Sequence, residues 1–157
     1  MIERVRAILV TDGEHLLVIK RIRPGIPTYW VLPGGHVEPE DVGLEAALHR
    51  ELHEELVGDA TVHSLVQILD AEDAQNRQYF YLARIHTWRF DERTGPEFAD
   101  QNPERGTYEL DQIPLTAEAL ADIDLKPAQT ANLIREALAG PGLFALADLR
   151  PSLASDR

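Results

Sequence analysis

Residues 33–58 read PGGHVEPEDVGLEAALHRELHEELVG, a Pro-Gly-Gly break followed by an amphipathic segment. Wound as an α-helix at about 100° per residue, its apolar side chains share one broad arc; they are Leu44, Ala47, Leu48, Leu52 and Leu56. Glu51 and Glu55 fall in the middle of that arc, and Glu54 lies beside them. Since like charges at i,i+4 destabilise a helix, carboxylates on a packing face need a compensating partner.

Two interpretations of these carboxylates compete. Charge-rich helical runs are usually solvated, and Arg50 with Glu54 would then be an ordinary i,i+4 pair. Alternatively a divalent cation compensates the charge, and hard oxygen ligands favour Mg²⁺ or Mn²⁺. Because Mg²⁺ held by few carboxylates completes its shell with substrate phosphates, the second interpretation also predicts a phosphate-bearing ligand.

Length and composition predict a single domain. A chain of 157 residues that is 44% hydrophobic buries enough surface for one core. We expect that domain over residues 1–140, with a C-terminal tail at 141–157. The absence of cysteine excludes disulfides and cysteine nucleophiles. No apolar run approaches the roughly 20 residues of a membrane span, and MIERVRAILV lacks the layout of a signal peptide, so we expect a cytoplasmic protein without a membrane partner.

The net charge of −12 bears on the class of ligand. Non-specific binding to nucleic acid depends on neutralising phosphates with Lys and Arg, so we expect no nucleic-acid partner. A small polyanion is compatible with this charge if bound metal or local basic residues offset it. The composition leaves the oligomeric state open between a monomer and a homodimer.

Hydrophobic periodicity predicts a mixed β-sheet between helices, in the α/β or α+β class. The chain begins with a hairpin whose strands, Val5–Val10 and His15–Arg21, flank an Asp-Gly turn. Further strands are predicted at 29–32, 61–70 and 78–88, and helices at 43–57, 115–120 and 128–138. Gly58 is predicted as the left-handed cap of the first helix, and residues 91–109 as a long loop.

Gly35 and the run Arg50-Glu51-Leu52-His53-Glu54-Glu55 closely resemble the Nudix box, G-x5-E-x7-R-E-U-x-E-E-x-G-U with U aliphatic. The preceding YWVLPGG resembles the strand and loop that lead into it. The resemblance is to the Nudix hydrolases, the MutT-like enzymes that act on nucleoside diphosphates linked to another group. It implies an α/β/α sandwich with a central mixed sheet.

This sequence departs from the box at two places. Gly35 and Arg50 are one residue further apart than the pattern, and the first glutamate of the box is best matched by Asp41. The final Gly-aliphatic pair is replaced by Val57-Gly58, which predicts a helix cap displaced by one residue.

The resemblance implies roles for the matching residues. Glu51 would be a metal ligand and the general base, Glu54 and Glu55 metal ligands, and Arg50 the residue that orients Glu51. Gly35 would belong to the same site, and the ion would be Mg²⁺ or Mn²⁺. Some members add a carboxylate from a distant loop, for which Glu97 and Glu104 are the candidates, with ordinary solvation the alternative for both.

The implied reaction is attack of water on phosphorus within a diphosphate linkage. The candidate substrate-binding residues are Lys20, Arg21, Arg23, Tyr29, Gly34 and Gly35. Trp30 is a further candidate for stacking on a base, with a core position as the alternative, and the three basic residues have a solvated strand end as theirs. His36, His49 and His53 are interpreted as solvent-facing.

The substrate class and the turnover each have an alternative. A proline that many ADP-ribose-type members carry downstream of the box is missing, since none occurs between Pro39 and Pro96. This favours a nucleoside triphosphate over ADP-ribose or a nucleotide sugar. A regulatory Nudix module that binds a nucleotide without turnover is the other alternative, against which the Arg-Glu-x-x-Glu-Glu core argues.

Overall fold

The computed structural model describes residues 1–90 and 106–151. Within these ranges the strands are β1 (Ile2–Thr11), β2 (His15–Arg23), β3 (Ile26–Val31), β4 (Gly34–His36), β5 (Asp59–Asp70), β6 (Asn76–Thr87), β7 (Thr107–Pro114) and β8 (Leu125–Lys126). The helices are α1 (Leu44–Leu56), α2 (Ala117–Ala121) and α3 (Ala128–Ala139), and a 3₁₀ turn follows at Leu143–Ala145.

The described strands form one mixed sheet in the order β5-β6-β1-β2-β3-β8. β1 runs parallel to β6 over its whole length and β3 runs parallel to β8, while the other pairs are antiparallel. β4 pairs with β1, and β7 pairs with β2. The predicted mixed sheet and the opening β1-β2 hairpin are confirmed.

The sheet splits beside β1. β1 pairs with β2 at Leu9 and Val10, whereas Arg4 to Arg6 pair with β4 instead. The carbonyl of Pro33, just before β4, accepts a hydrogen bond of 2.9 Å from the amide of Ala7. Because β4 takes the edge of β1, the first half of β1 and the far half of β2 separate and leave a cleft between them.

Alternation along β1 divides the core into two layers. Val5, Ala7 and Leu9 pack with the buried face of α1, whereas Ile8 and Val10 pack with α2 and α3. Helices therefore cover both faces of the sheet, as the sequence predicts. Burying one Leu or Ile side chain contributes about 1.5–3 kcal/mol, so both layers contribute to folding.

The prediction that Gly58 is the left-handed cap is wrong. Val57 adopts that conformation, with φ 45° and ψ 44°, and its amide donates to the carbonyl of His53 at 3.0 Å. Gly58 is small for another reason, since a Cβ there would lie 3.0 Å from Cδ1 of Ile85. The cap is therefore not displaced: a β-branched residue occupies the position where the box has glycine.

The predicted loop at 91–109 is wrong in its last residues. Thr107 to Glu109 begin β7, in which Tyr108 lies opposite Arg21 and Glu109 opposite Lys20. This segment is weakly apolar and has no clear strand signal in its sequence. It forms a strand because its backbone pairs with β2. Residues 91–105, with the candidates Glu97 and Glu104, lie outside the described residues.

Residues after α3 pack against the sheet. Leu143 is buried, and the amide of Leu149 donates to the carbonyl of Leu65 at 2.8 Å. Nη2 of Arg150 donates to the carbonyl of His63 at 2.8 Å. In the part of the chain that is described, no helix has the length and apolar character needed to cross a membrane.

Candidate active site

Helix α1 holds two carboxylates within its packing face. Glu51 is 8% exposed and Glu55 is 4% exposed, and both lie among Leu48, Leu52 and Leu56, which are fully buried. The helical wheel predicts these positions from the spacing alone. A buried carboxylate requires hydrogen bonds or a cation, so the surroundings of both residues decide what this face of the helix can do.

Glu55 joins the helix to the glycine loop. The amide of Gly34 donates to Oε1 of Glu55 at 3.0 Å, which gives the carboxylate a buried partner. Gly34 has φ +149°, and a side chain there would overlap the carbonyl oxygen of Val5. A Cβ on Gly35 would lie 2.5 Å from the carboxylate of Glu51. Gly34 is therefore required for the close approach of β4 to β1, whereas a side chain on Gly35 would displace the carboxylate of Glu51.

Arg50 links the remaining carboxylates of α1. Its Nη1 lies 3.1 Å from Oε1 of Glu51 and 3.3 Å from Oε1 of Glu54. The Glu54 side chain is 30% exposed, so it reaches the same guanidinium from the solvent side. Arg50 thus holds Glu51 and Glu54 on one side of the helix.

The guanidinium of Arg50 is itself fixed by the loop before the helix. Asp41 accepts from Nε and Nη2 of Arg50, each at 2.9 Å, and the carbonyl of His36 accepts from Nη2 at 2.9 Å. The hydrogen bonds from Arg50, followed by that from the amide of Glu38, lower the pKa of Asp41 to about 2. The pair is therefore charged at neutral pH, and it sets the orientation of Arg50.

The carboxylates open into a cleft of about 580 Å³ at the split in the sheet. Its walls carry charges of both signs: the acidic residues are Glu38, Glu51, Glu54 and Glu55, and the basic residues are Arg4, Arg6 and Arg21. Burial, with the positive charges of Arg4 and Arg6, lowers the pKa of His36 at the rim. Such a cleft can hold a cation against its acidic wall and an anion against its basic wall.

The structure separates the residues that sequence reasoning grouped for substrate binding. Arg21, Gly34 and Gly35 line the cleft, and Cζ of Arg21 lies 3.8 Å from the ring centroid of Tyr108. In the described part of the chain, Lys20, Arg23 and Tyr29 do not line it. Tyr29 lies opposite Arg21 in the β2-β3 register, at 5.9 Å from ring centroid to Cζ.

Lys20 and Trp30 belong to the face of the sheet that α3 covers. Nζ of Lys20 lies 5.7 Å from the Trp30 ring, and the two residues are opposite each other in register. Nε1 of Trp30 donates to Asp111 at 2.9 Å, and its ring packs against the core beneath α3. Of the two alternatives for Trp30, stacking on a base or a position in the core, the structure agrees with the core position.

Sequence reasoning missed several residues of the cleft, among them Arg4, Arg6 and Tyr108. The pattern Arg4-Val5-Arg6 interrupts the apolar run of β1 and was the available signal. The signal is ambiguous, because a solvated strand end and the wall of a cleft have the same pattern in sequence. Tyr108 fell in the segment interpreted as a loop. Its place opposite Arg21 depends on pairing between strands that are far apart in the chain.

Side-chain oxygens of Glu51, Glu54 and Glu55, with the backbone of Gly35 beside them, are hard donors of the kind that Mg²⁺ and Mn²⁺ prefer. Within residues 1–90 and 106–151, no three acidic or imidazole side chains are already arranged around one point as a metal cage. Arg50 occupies oxygens of Glu51 and Glu54 in this arrangement. The donor set fits a divalent cation in type and in burial.

Comparisons with known proteins agree with this geometry. The model of the NUDIX domain family matches residues 1–129. The CTP pyrophosphohydrolase of Escherichia coli (strain K12) is 35% identical over 88 residues, a match that spans 56% of this chain and 61% of that protein.

Solved structures share the fold. The solution structure of the E. coli ORF135 protein is 28% identical, with a TM-score of 0.55 over 85% of this chain and 86% of that one. The MutT NUDIX hydrolase from Burkholderia pseudomallei is 26% identical, with a TM-score of 0.52 over 85% and 95%. The family match covers most of the chain and includes every residue of the cleft that sequence reasoning assigned to the box, and the chain therefore belongs to the NUDIX domain family.

Proposed function

We propose that this protein hydrolyses a diphosphate linkage in a nucleoside diphosphate linked to another group, with a nucleoside triphosphate or related nucleotide as substrate. The observation that carries the proposal is one cleft in which buried Glu51 and Glu55 share space with Glu54 and with arginines from two strands. Carboxylates suit a divalent cation, and guanidiniums suit phosphate oxygens.

The glutamates of α1 and the residues that orient them have separate roles in this proposal. A divalent cation held by Glu51, Glu54, Glu55 and the backbone of Gly35 would lower the pKa of a bound water and neutralise phosphate oxygens. Glu51 accepts the proton of the attacking water, as a general base at the floor of the cleft. Arg50 orients Glu51 through the contact at 3.1 Å, and Asp41 orients Arg50.

The net negative charge of the protein implies that positive charge is needed at the site. With a net charge of −12 the protein repels a free nucleotide, so local positive charge must offset the field at the site. Arg21 and the cation supply it in the proposal. Direct attack of water is the simplest route, because the chain has no cysteine and no recognised serine-histidine-acid set for a covalent intermediate.

The name of one relative supports the substrate class. The E. coli relative is a CTP pyrophosphohydrolase, which acts on a nucleoside triphosphate, and it is 35% identical over the matched segment. The missing proline downstream of the box points the same way, against ADP-ribose and nucleotide sugars. The cytoplasmic location and the choice between a monomer and a homodimer stay predictions.

A regulatory module that binds a nucleotide without turnover is the second candidate. It is favoured by the departures from the box at Asp41 and Val57, which change the loop and the helix cap. The contacts of Arg50 with Asp41 and Glu51 argue against it, because they keep the general base oriented despite the longer loop.

Release of phosphate or pyrophosphate with Mg²⁺ over a panel of nucleoside triphosphates, ADP-ribose and nucleotide sugars separates these candidates. The proposal expects turnover of at least one triphosphate, lost when Glu51 is changed to Gln. Turnover confined to ADP-ribose or nucleotide sugars would contradict the triphosphate proposal and assign those compounds as the substrate class. Tight binding of a nucleotide with no product from any compound would favour the regulatory module.

A further inference from the structure

Arg4 and Arg6 occupy alternate positions of β1, so their side chains leave the same face of the strand. In the register with β4, Arg4 lies opposite His36 and Arg6 lies opposite Gly34. Both arginines line the cleft that contains the three glutamates of α1. Two guanidiniums therefore share a cavity with the candidate metal ligands, from a strand that lies outside the Nudix box.

Amide oxygens of β6 contact both arginines. Nη1 of Arg4 donates to Oδ1 of Asn76 at 3.2 Å, and Nε of Arg6 lies 3.5 Å from Oε1 of Gln78. An amide oxygen orients a guanidinium without neutralising its charge. Among residues 1–90 and 106–151, the hydrogen-bonding partner of the Arg4 side chain is this amide, so its positive charge is retained in a protein rich in acidic residues.

Arg77 shows the contrast within the same pair of strands. It lies opposite Glu3 in the β1-β6 register, one position before the pair of Arg4 and Gln78. Its Nε and Nη2 are bound by the carboxylate of Asp70, at 2.6 Å and 3.0 Å. An ordinary surface arginine of this sheet is thus paired with an acid, whereas Arg4 is held by an amide and faces the cleft.

Arg6 also borders a second cavity of about 420 Å³. That cavity shares Val31 and Leu32 with the cleft and continues to Gln78, Asp124 and Lys126. Arg6 therefore stands where the two cavities meet. A ligand that extends from the glutamates of α1 into the second cavity passes its guanidinium.

We propose that Arg4 and Arg6 form a phosphate-binding pair that seats the polyphosphate chain of the substrate beside the candidate metal site. This inference rests on the proposed function, and it adds a source of affinity outside the box. Guanidiniums bind phosphate oxygens through paired hydrogen bonds. Two added positive charges also favour a nucleoside triphosphate over a less charged diphosphate ester.

Binding without turnover tests the pair. Calorimetry with Mg²⁺ would measure the Kd of methylenediphosphonate, whose P–C–P bridge resists hydrolysis, and of α,β-methylene nucleoside triphosphates. Arg4→Gln and Arg6→Gln should each weaken both probes by about tenfold or more, since a hydrogen bond to a charged group is lost. Arg4→Lys, which keeps the charge but not the planar fork, should lie between Arg4→Gln and the wild type.

Arg77→Gln is the matched control, because it removes the same charge from the neighbouring register position and should change Kd by less than about twofold. Melting temperatures of all variants would show that each one folds. Unchanged Kd in both Arg4→Gln and Arg6→Gln would overturn the pair, as would a wild-type protein that binds neither probe. Weaker nucleotide binding with unchanged methylenediphosphonate binding would also overturn it, because the arginines would then contact the nucleoside.

The assay keeps this inference distinct from the proposed function. If the arginine variants lose binding but the wild-type protein cleaves no nucleotide, the hydrolase proposal fails and the phosphate pair stands. If the protein hydrolyses a triphosphate while the arginine variants bind like the wild type, the pair fails and the hydrolase proposal stands.

Discussion

Asp41 binds Nε and Nη2 of Arg50 with its two carboxylate oxygens, each at 2.9 Å. These residues are nine positions apart, one more than the matching pair of the Nudix box. A shorter acid on a longer loop thus reaches the arginine that contacts Glu51. This contact keeps Arg50 oriented toward Glu51 although the sequence has one more residue between Asp41 and Arg50 than the Nudix box has.

Asp41→Asn should destabilise the protein by about 1–3 kcal/mol, because an amide cannot accept both bonds from the guanidinium and its NH₂ group faces a donor. The Asp41 side chain is 7% exposed, so water replaces it poorly. Urea unfolding measures the difference. Asp70→Asn is the control, because the Asp70 side chain is 49% exposed and water can replace its lost bonds, so it should change stability less than Asp41→Asn does.

The same variant has an expected pH dependence. Arg50 lowers the pKa of Asp41 to about 2, below the value of about 3.9 in an unfolded chain. A depressed pKa contributes stability that is fully present above the unfolded value and is lost as pH falls through the folded value. The difference in unfolding free energy between wild type and Asp41→Asn should therefore be constant near pH 6 and shrink between about pH 4 and pH 2. A difference that stays constant down to pH 2 would contradict the assignment.

Glu51→Gln and Glu55→Gln should each lower turnover by at least about a hundredfold, since each removes a charged metal ligand and Glu51 is also the proposed base. Both variants should fold, because the amide oxygen at position 55 can still accept from Gly34 and the like-charge repulsion is reduced. Steady-state kinetics and circular dichroism test the two halves. Glu136→Gln, an exposed substitution on α3, is the control and should leave turnover unchanged. Wild-type rates in both variants would contradict the proposal that Glu51 and Glu55 hold a catalytic metal ion.

Mg²⁺ or Mn²⁺ should raise the melting temperature, because the ion binds the carboxylates in their folded arrangement. At a concentration about a hundredfold above Kd the gain is about 2.7 kcal/mol, which corresponds to a shift of about 5–10 °C for a chain of this length. Differential scanning calorimetry at matched ionic strength gives the shift. The effect should disappear in the Glu51→Gln, Glu55→Gln double variant, and an equal shift in that variant would place the ion elsewhere.

Val57→Gly should raise the free energy of unfolding by about 1 kcal/mol. A β-branched residue in the left-handed conformation costs about 1–3 kcal/mol, and the greater freedom of glycine in the unfolded chain offsets only part of the gain. Val57→Ala separates the φ effect from the lost methyl groups, and it should be less stable than Val57→Gly. If the glycine variant proves the less stable of the two, strain at this cap is not significant.

Features of the fold and the site that depend on neighbouring residues could be predicted from the sequence, whereas those that depend on contacts between distant residues could not. Periodicity along α1 placed Glu51 and Glu55 on the buried face, because helical geometry is local. Strands β1 and β6 were predicted from local patterns as well, because each contains a β-rich apolar run. The cap at Val57 was misassigned because glycine is the usual left-handed residue, and the packing of Gly58 on Ile85 was not visible in the chain.

The cleft itself depended on pairing between distant segments. Arg4 and Arg6 became wall residues because β4 displaces β2 from the edge of β1. Lys20 and Arg21 point to opposite faces because β2 alternates, so a basic pair in sequence contributes one arginine to the site. The first fact does not follow from composition or local pattern, whereas the second follows from the alternation of the predicted strand.

Hydrolysis in water enriched in ¹⁸O identifies the atom that the water attacks. The protein would be incubated with Mg²⁺ and the nucleoside triphosphate that it turns over fastest, with Glu51→Gln as the background control. If the carboxylate cleft directs water to phosphorus within the diphosphate linkage, mass spectrometry finds one ¹⁸O in a phosphate or pyrophosphate group of the products and none on carbon. Label on a sugar carbon, or products that carry no ¹⁸O after turnover, would contradict the account.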